Sequence, residues 1–356
     1  MNSKIITYVD KERWNGFVAA APNASILQSY EWGELKSLFG WRPVRIVLEE
    51  AGKIVAGISI LKREVPFIRH SLLYAPRGPI IDFTNKDLLH DLLNAVEKEA
   101  DRSHAISLKI DPEVVDENME AKNNLLSLGF DKAHKQIQPR ATFILDLKPE
   151  LKELLQSFEE KTRYNIRLAA KKGVIVKEDN SEKAVRAFFD LYLETSKRDK
   201  FMVHPLNYYL KIREIMFAAN LGTTFIAYFK NKPVAAVIIF CFGRKIWYMY
   251  GASSSSSARN VMPNHLLHYE IIKWAKEKGF TEYDLWGIPA NPHEGHPLYG
   301  VYRFKKGFKG ELKRYIGVYN FPYSPLFYYA LEHGVAGWQS LRSLINKGKI
   351  EDSLSE

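Results

Sequence analysis

Two stretches of the chain repeat one pattern of apolar and polar positions. Gly52-Lys-Ile-Val-Ala-Gly-Ile-Ser-Ile-Leu61 and Asn231-Lys-Pro-Val-Ala-Ala-Val-Ile-Ile-Phe240 each begin with a turn residue and a lysine and continue as a largely β-branched run. An apolar run precedes each, at residues 43–48 and 223–229, so both predict a β-hairpin. Leu88-Leu-His90 and Leu266-Leu-His268 then open a predicted helix in each copy, and residues 105–110 and 281–288 predict a strand. These elements recur in one order at a nearly constant separation, which predicts a duplicated mixed α/β domain. In the second copy Leu267, Ile271, Trp274 and Ala275 share a helical face, and Gly279 is the stop. Helices are also predicted over 151–172, 181–198 and 208–220, a strand over 141–147, and a loop over 253–257.

A chain of 356 residues has room for two such domains, and 46% hydrophobic with 26% charged residues is ordinary globular composition. Cys241 is the single cysteine and sits in the apolar run 235–242, which predicts a buried thiol. No Cys/His cluster has metal-ligand spacing, so no metal is expected. Lys4, Asp10, Lys11 and Glu12 leave the N-terminus without the apolar core of a signal peptide, and the apolar run between Lys232 and Arg244 is too short to span a membrane. A cytoplasmic protein is the expectation. The uncharged stretch 315–331, rich in Tyr and Phe and holding Pro322 and Pro325, reads as a segment packed on the body, with a membrane surface as the alternative. Lys plus Arg outnumber Asp plus Glu by 51 to 41, a balance that suits phosphate-bearing partners.

No G-x-S-x-G, H-E-x-x-H, P-loop or G-x-G-x-x-G is present, which argues against covalent or nucleotide-loop chemistry. Four stretches combine cations with rings or turns. Trp32 and Lys36 are four apart on one helical face, either core beside solvated cation or a ring beside a phosphate-seeking one. Tyr74-Ala-Pro-Arg-Gly-Pro79 fixes a turn that presents Arg77 or is purely structural. Arg303, Lys305, Lys306, Lys309, Lys313 and Arg314, interleaved with Tyr302, Phe304 and Phe308, suit a single-stranded nucleic-acid end or a solvated strand edge. Arg163, Arg167 and Lys171 share a helix face, a phosphate track or a solvated one.

Leu27-Gln-Ser-Tyr-Glu-Trp-Gly33, residues 74–79 and 161–173, Trp247-Tyr-Met-Tyr-Gly-Ala-Ser253, Tyr283-Asp-Leu-Trp-Gly-Ile288 and Tyr302-Arg-Phe-Lys-Lys-Gly-Phe308 together resemble the FemABX peptidoglycan-bridge aminoacyltransferases, from about residue 10 to 320. The pattern is most like the short, alanine-transferring members that act on UDP-MurNAc-pentapeptide and lack a long helical arm. The resemblance implies an α/β fold of two tandem Gcn5-related N-acyltransferase-like domains with mixed sheets and packed helices. These would be residues 1–140 on the acceptor side and 141–316, with 317–356 packing back on the first. It implies transfer of an amino acid from aminoacyl-tRNA to the side-chain amine of the third stem-peptide residue of a peptidoglycan precursor.

By the same resemblance, Lys36 and His204 contact the acceptor's diphosphate, His204 standing where such members can carry arginine. Tyr208 contacts the acceptor, Asp111 is the acidic residue near it, and Phe304 with Lys305 serves the tRNA end and the reacting centre. Trp32 and Arg77 are further acceptor-binding candidates, and Arg303, Lys305, Lys306 and Lys309 form the tRNA-binding set. Expected partners are aminoacyl-tRNA and UDP-MurNAc-pentapeptide or lipid II, with no cofactor, a monomeric state and peripheral contact at the inner face of the membrane. The coenzyme A loop of ordinary acetyltransferases is missing, the equivalent stretch reading Ser257-Ala-Arg-Asn-Val-Met-Pro263. An acyl-coenzyme A-dependent N-acyltransferase and a non-catalytic RNA- or precursor-binding protein are the rival expectations.

Overall fold

The computed structural model describes residues 2–5, 10–66, 68–133, 135–254 and 257–330. They fall into two compact units: one formed by the described residues up to Arg140 and from Arg314 onward, the other by Ala141–Lys313.

In the first unit β1 (Asn2–Ile5), α1 (Lys11–Ala20) and α2 (Tyr30–Ser37) precede the hairpin of β2 (Arg42–Glu50) and β3 (Lys53–Glu64). Then come β4 (Ser71–Ala75), α3 (Lys86–Arg102), β5 (Ala105–Ile110), α4 (Met119–Ser127) and β6 (Asp131–Lys132). The second unit runs β7 (Ala141–Asp146), α5 (Leu151–Ser157), α6 (Glu160–Lys171), β8 (Ile175–Glu178), α7 (Glu182–Asp199) and α8 (Leu206–Ile212). It continues with the hairpin β9 (Gly222–Phe229) and β10 (Lys232–Phe242), then β11 (Lys245–Ser253), α9 (Pro263–Glu277), β12 (Glu282–Asp284), α10 (Tyr299–Lys306) and β13 (Glu311–Arg314). The chain then adds β14 (Tyr319–Pro322) to the first unit.

The two sheets match strand for strand. Their orders are β1-β2-β3-β4-β5-β14-β6 and β8-β9-β10-β11-β12-β7-β13. Each holds a parallel pair at the same place in the order, β4–β5 and β11–β12. A parallel neighbour needs a crossover, and α3 and α9 supply it. Asn85 caps α3 by accepting from Leu88 N, and Leu88, Leu89, Leu92, Val96 and Ala100 bury its inner face. Leu267, Ile271 and Ala275 do the same on α9, where Gly279 ends the turn at φ +82°. The duplication read from the sequence is therefore a structural one, and the fold is the mixed α/β architecture expected.

Several element expectations needed long-range contacts to correct them. The stretch 151–172 is two helices, not one, because Phe158 turns to extended backbone (φ −62°, ψ 155°) and packs edge-on against Phe308 at 5.3 Å. The stretch 208–220 is α8 followed by one π turn, Arg213–Phe217. The strand expected over 281–288 stops at Asp284. Within 253–257, Ser253 ends β11, and residues 255 and 256 lie outside the described residues. The uncharged stretch 315–331 contributes β14 and a helical segment at 325–330, while Leu331 and the remainder of the expected segment 317–356 lie outside the described residues. Cys241 is buried, its thiol pushed up to about 12 by burial. Among the described residues no helix is long and apolar enough to cross a membrane, and the longest helices, α3 and α7, have 17 and 18 residues.

Candidate active site

In the second unit the parallel pair holds together for only three residues, Lys245–Trp247 against Glu282–Asp284. Beyond them the strands part. On one side β11 slips register against β10: Tyr250 faces Ile238 while Tyr248 faces Ile239, so Met249 is the extra residue of a bulge. Alternation would put Tyr248 and Tyr250 on one face; the bulge sends them to opposite faces. Tyr248 meets His268 on α9 (4.4 Å between ring centres), and Tyr250 meets Tyr192 and Tyr209 on α7 and α8. On the other side Asp284, 1% exposed, accepts from Thr142 Oγ1 (2.5 Å) and from the backbone N–H of Trp286 (2.7 Å). That grip holds Trp286 at φ 59°, outside ordinary strand geometry, and ends the strand.

The turn places the carbonyls of Trp286 and Gly287 around Lys305. Lys305 Nζ donates to both, at 3.2 and 2.7 Å, and lies 5.1 Å from the centre of the Tyr248 ring. The sequence places Lys305 in a run of cations and, by the resemblance, at the reacting centre with Phe304; unlike Arg303, Lys306 and Lys309 it is buried, 5% exposed. Burial brings its pKa down to about 7, against the opposing pull of Asp284. An ammonium has three donors, and two meet these carbonyls. Phe304 lies edge-on to His265 (5.1 Å) and His268 (5.3 Å). His268 contacts Tyr283 Oη through Nδ1 at 2.8 Å, and burial with the charge of Lys305 lowers its pKa to about 3. His265 pairs with Asn165 at 3.2 Å and is lowered to about 4. Both imidazoles are thus neutral rings beside a titrating amine. Sequence reasoning did not assemble His265, His268, Asp284 and Tyr248 into one cluster; Tyr248 and Asp284 lay inside the motifs 247–253 and 283–288, His268 in the echo of Leu-Leu-His90, and nothing pointed to His265.

The first unit closes the equivalent place with its own side chains. β4 and β5 pair through to Ala75 and Ile110. Asp111 follows at once, 1% exposed, and accepts from Tyr74 Oη (2.8 Å) and from Arg77 N (2.6 Å). Burial raises its pKa to about 6, against the charge of Arg77 and these hydrogen bonds. The turn does not present Arg77 to solvent: the residue is 3% exposed, Nη2 donates to Pro139 O at 2.7 Å, and the guanidinium lies over Tyr315. Gln28 fastens the same turn, bridging Ser59 and Pro76 O with its side-chain amide. It lies so close that a Cβ on Gly78 would sit 2.6 Å from its Nε2. Two of the stretches singled out in the sequence, 27–33 and 74–79, are therefore two halves of one buried clamp.

The other candidates lie apart from these two clusters, some buried and some exposed. Trp32 is core, 4% exposed, and Lys36 lies half-buried with Nζ 4.9 Å from its ring. His204 is exposed and stacked on buried Tyr208, ring centres 4.0 Å apart. Arg303, Lys306 and Lys309 are exposed, with Lys309 3.9 Å from Glu159. The stretch expected as nucleic-acid end or strand edge divides in two: α10 turns Lys305 inward and Arg303 and Lys306 outward, and Lys313 and Arg314 lie on the edge strand β13. Where acetyltransferases carry a glycine loop, a 3₁₀ turn at Ser257–Val261 leads to Pro263 at the start of α9, with Met262 at φ 53°. Among the described residues no group of His, Cys, Asp and Glu could hold a metal.

A model of the FemAB family matches residues 9–221 and 218–333. The lipid II:glycine glycyltransferase of Staphylococcus saprophyticus is 29% identical over 407 aligned positions, covering 95% of this chain and 96% of that protein. The alignment is longer than the chain, so that relative carries residues this chain lacks. The crystal structure of FemX superposes with a TM-score of 0.86 at 26% identity, over 93% of this chain and all of that one. A tandem GNAT protein from the clavulanic acid biosynthesis pathway shares the fold alone, with a TM-score of 0.54 at 10% identity over 91% of this chain and 99% of its own.

Proposed function

The chain belongs to the FemAB family, and from that premise we propose that it is an aminoacyltransferase of peptidoglycan bridge synthesis that takes its amino acid from aminoacyl-tRNA. The acceptor is the side-chain amine of the third stem-peptide residue of a diphosphate-bearing precursor, either lipid II or UDP-MurNAc-pentapeptide. The amine attacks the ester carbonyl, the bond to the terminal ribose oxygen breaks, and the proton released by the amine ends on that oxygen. Atoms balance without a cofactor. Because the donor ester is already activated, alignment supplies much of the rate, roughly 7–11 kcal/mol in favourable cases.

The observation that carries this reading is Lys305, a buried ammonium fixed on two carbonyls where β11 and β12 part. Its third N–H is a donor for the oxyanion of the tetrahedral intermediate, and the low-dielectric setting strengthens that bond. The ring of Phe304 is proposed to pack on the terminal adenosine. Pro263, which has no N–H, and the glycine-free turn before it support an RNA donor over coenzyme A. Lys36, and separately His204 with Tyr208, are proposed acceptor contacts. Asp111, raised to about 6, is proposed as the acidic group on the acceptor side.

The test is transfer itself. Charged tRNAs of several kinds are offered with lipid-linked and nucleotide-linked precursor, and products are read by mass spectrometry. Product that disappears with RNase supports the proposal. RNase-resistant transfer from an acyl-coenzyme A overturns it.

A further inference from the structure

Resting on that RNA-donor reading, we propose that the outer stripe of α6, formed by Lys161, Tyr164, Arg167 and Lys171, is the track that carries the acceptor stem of the donor tRNA toward Phe304 and Lys305.

The stripe follows from how α6 is buried. Thr162, Asn165, Ile166 and Ala169 face the core, so Lys161, Tyr164, Arg167 and Lys171, spaced three, three and four apart, lie exposed along the opposite side. From Lys161 to Lys171 the helix advances about 15 Å. Three cations about 9 and 6 Å apart along the axis, with a tyrosine 61% exposed among them, suit a row of backbone phosphates and ribose hydroxyls.

Surface cations on a helix are common, and what distinguishes these is where the stripe begins. Asn165, on the inner side of the same turns, contacts His265, and His265 lies against Phe304. Lys161 is near enough for its charge to add to the lowering of His265. The end of α10 is fastened to the start of α6 by Glu159 N donating to Gly307 O at 2.9 Å. One end of the track is therefore at the proposed reacting centre, and the other leads away along the helix. Arg163, expected from the sequence to share this face, does not: its guanidinium donates to Gln156 O and Phe158 O and braces the break between α5 and α6. Arg303 and Lys306, exposed on α10, stand on the neighbouring helix.

The test combines Lys161→Gln, Arg167→Gln and Lys171→Gln in one variant and compares two donors: intact aminoacyl-tRNA and an aminoacylated cytidine-cytidine-adenosine trinucleotide, which has no stem. For intact tRNA the salt slope of log K should fall by about 2.7, at ~0.9 for each phosphate no longer neutralised. KM for that donor should rise at least tenfold at 150 mM salt, with turnover at saturation, melting temperature and acceptor KM unchanged. KM for the trinucleotide should not move. Wild-type protein that transfers without RNA overturns the donor reading, and this proposal with it. Wild-type transfer from tRNA with an unchanged salt slope in the variant overturns the track alone. An equal loss with the trinucleotide also overturns it, since the cations would then act at the reacting centre. So does an unchanged tRNA KM with weakened binding to phosphatidylglycerol vesicles, which would make the stripe a membrane surface.

Discussion

Each copy of the repeated domain ends its parallel strand pair on a buried aspartate that grips the N–H of a residue with left-handed backbone. In the first copy Asp111 holds Arg77 (φ 55°); in the second Asp284 holds Trp286 (φ 59°). Each also seats a buried cation on backbone carbonyls, Arg77 on Pro139 O and Lys305 on Trp286 O and Gly287 O. The chemistry differs because the cations differ. A guanidinium keeps its charge at any working pH and its planar fork locks a turn, whereas an ammonium is a compact group whose pKa moves when it is buried. The first copy thereby gains a rigid wall, and the second gains a group poised near pH 7 with a donor to spare. One frame thus occurs twice, holding a fixed charge in the first copy and a titratable one in the second.

The sharpest way to break this comparison is to remove each cation in turn. Arg77→Met should destabilise the protein by about 3–5 kcal/mol in urea titrations, the usual result of stripping one partner from a buried charged network, while turnover per folded molecule stays within twofold. Lys305→Met should do the reverse. Turnover at saturating donor should fall by roughly 10²–10³, as for loss of one oxyanion donor, with no loss of stability because a desolvated charge is replaced by an apolar chain. If Lys305→Met unfolds the protein and Arg77→Met inactivates it, the roles are exchanged.

Titration sharpens the contrast, because the two copies should respond to pH in opposite senses. Asp111 has a folded pKa raised from 3.8 to about 6, so its contribution is fully present below about pH 4 and is lost as pH rises through 6. Lys305 has a folded pKa lowered from 10.5 to about 7, so its contribution is present at high pH and is lost as pH falls through 7. Urea midpoints measured from pH 4 to 9 should show both slopes, with Asp111→Asn flattening the first and Lys305→Met the second. A smaller effect is expected at the proposed acceptor contacts. Lys36→Met should raise acceptor KM about three- to tenfold and leave donor KM alone, and His204→Arg should lower acceptor KM a few-fold, since a guanidinium brings a permanent charge and a bidentate fork to a diphosphate.

What the sequence made legible was local. The hairpins, the crossover helices and the inward face of α9 follow from periods of two and 3.6 that any window of the chain displays. What it hid depends on residues brought together from afar. Phe158 breaks a helix where Phe308 and Arg163 meet it, and Gln28 gives no sign that it will bridge Ser59 and Pro76. The bulge at Met249 is invisible because Tyr248-Met249-Tyr250 reads as plain alternation. By composition Lys305 reads as one more cation among six, and its burial is hidden because the turn set by Asp284 is what places carbonyls around it. The candidate cluster was thus readable as a neighbourhood in sequence, while which of its members point inward was not.

The placement of β14 has a consequence for the order in which the protein can be finished on the ribosome. β14 lies between β5 and β6 and pairs with both, yet it is made only after the whole second unit. Throughout synthesis of Ala141–Lys313 the first unit carries an open strand at β5, with the backbone groups of Ser107–Ile110 unpartnered by their final neighbour. The unit translated first is therefore the one completed last, against the usual N-to-C order of domain folding. A nascent chain stalled just short of Tyr319 would hold a finished second unit beside a first unit with one sheet still open, a species for chaperones to shield.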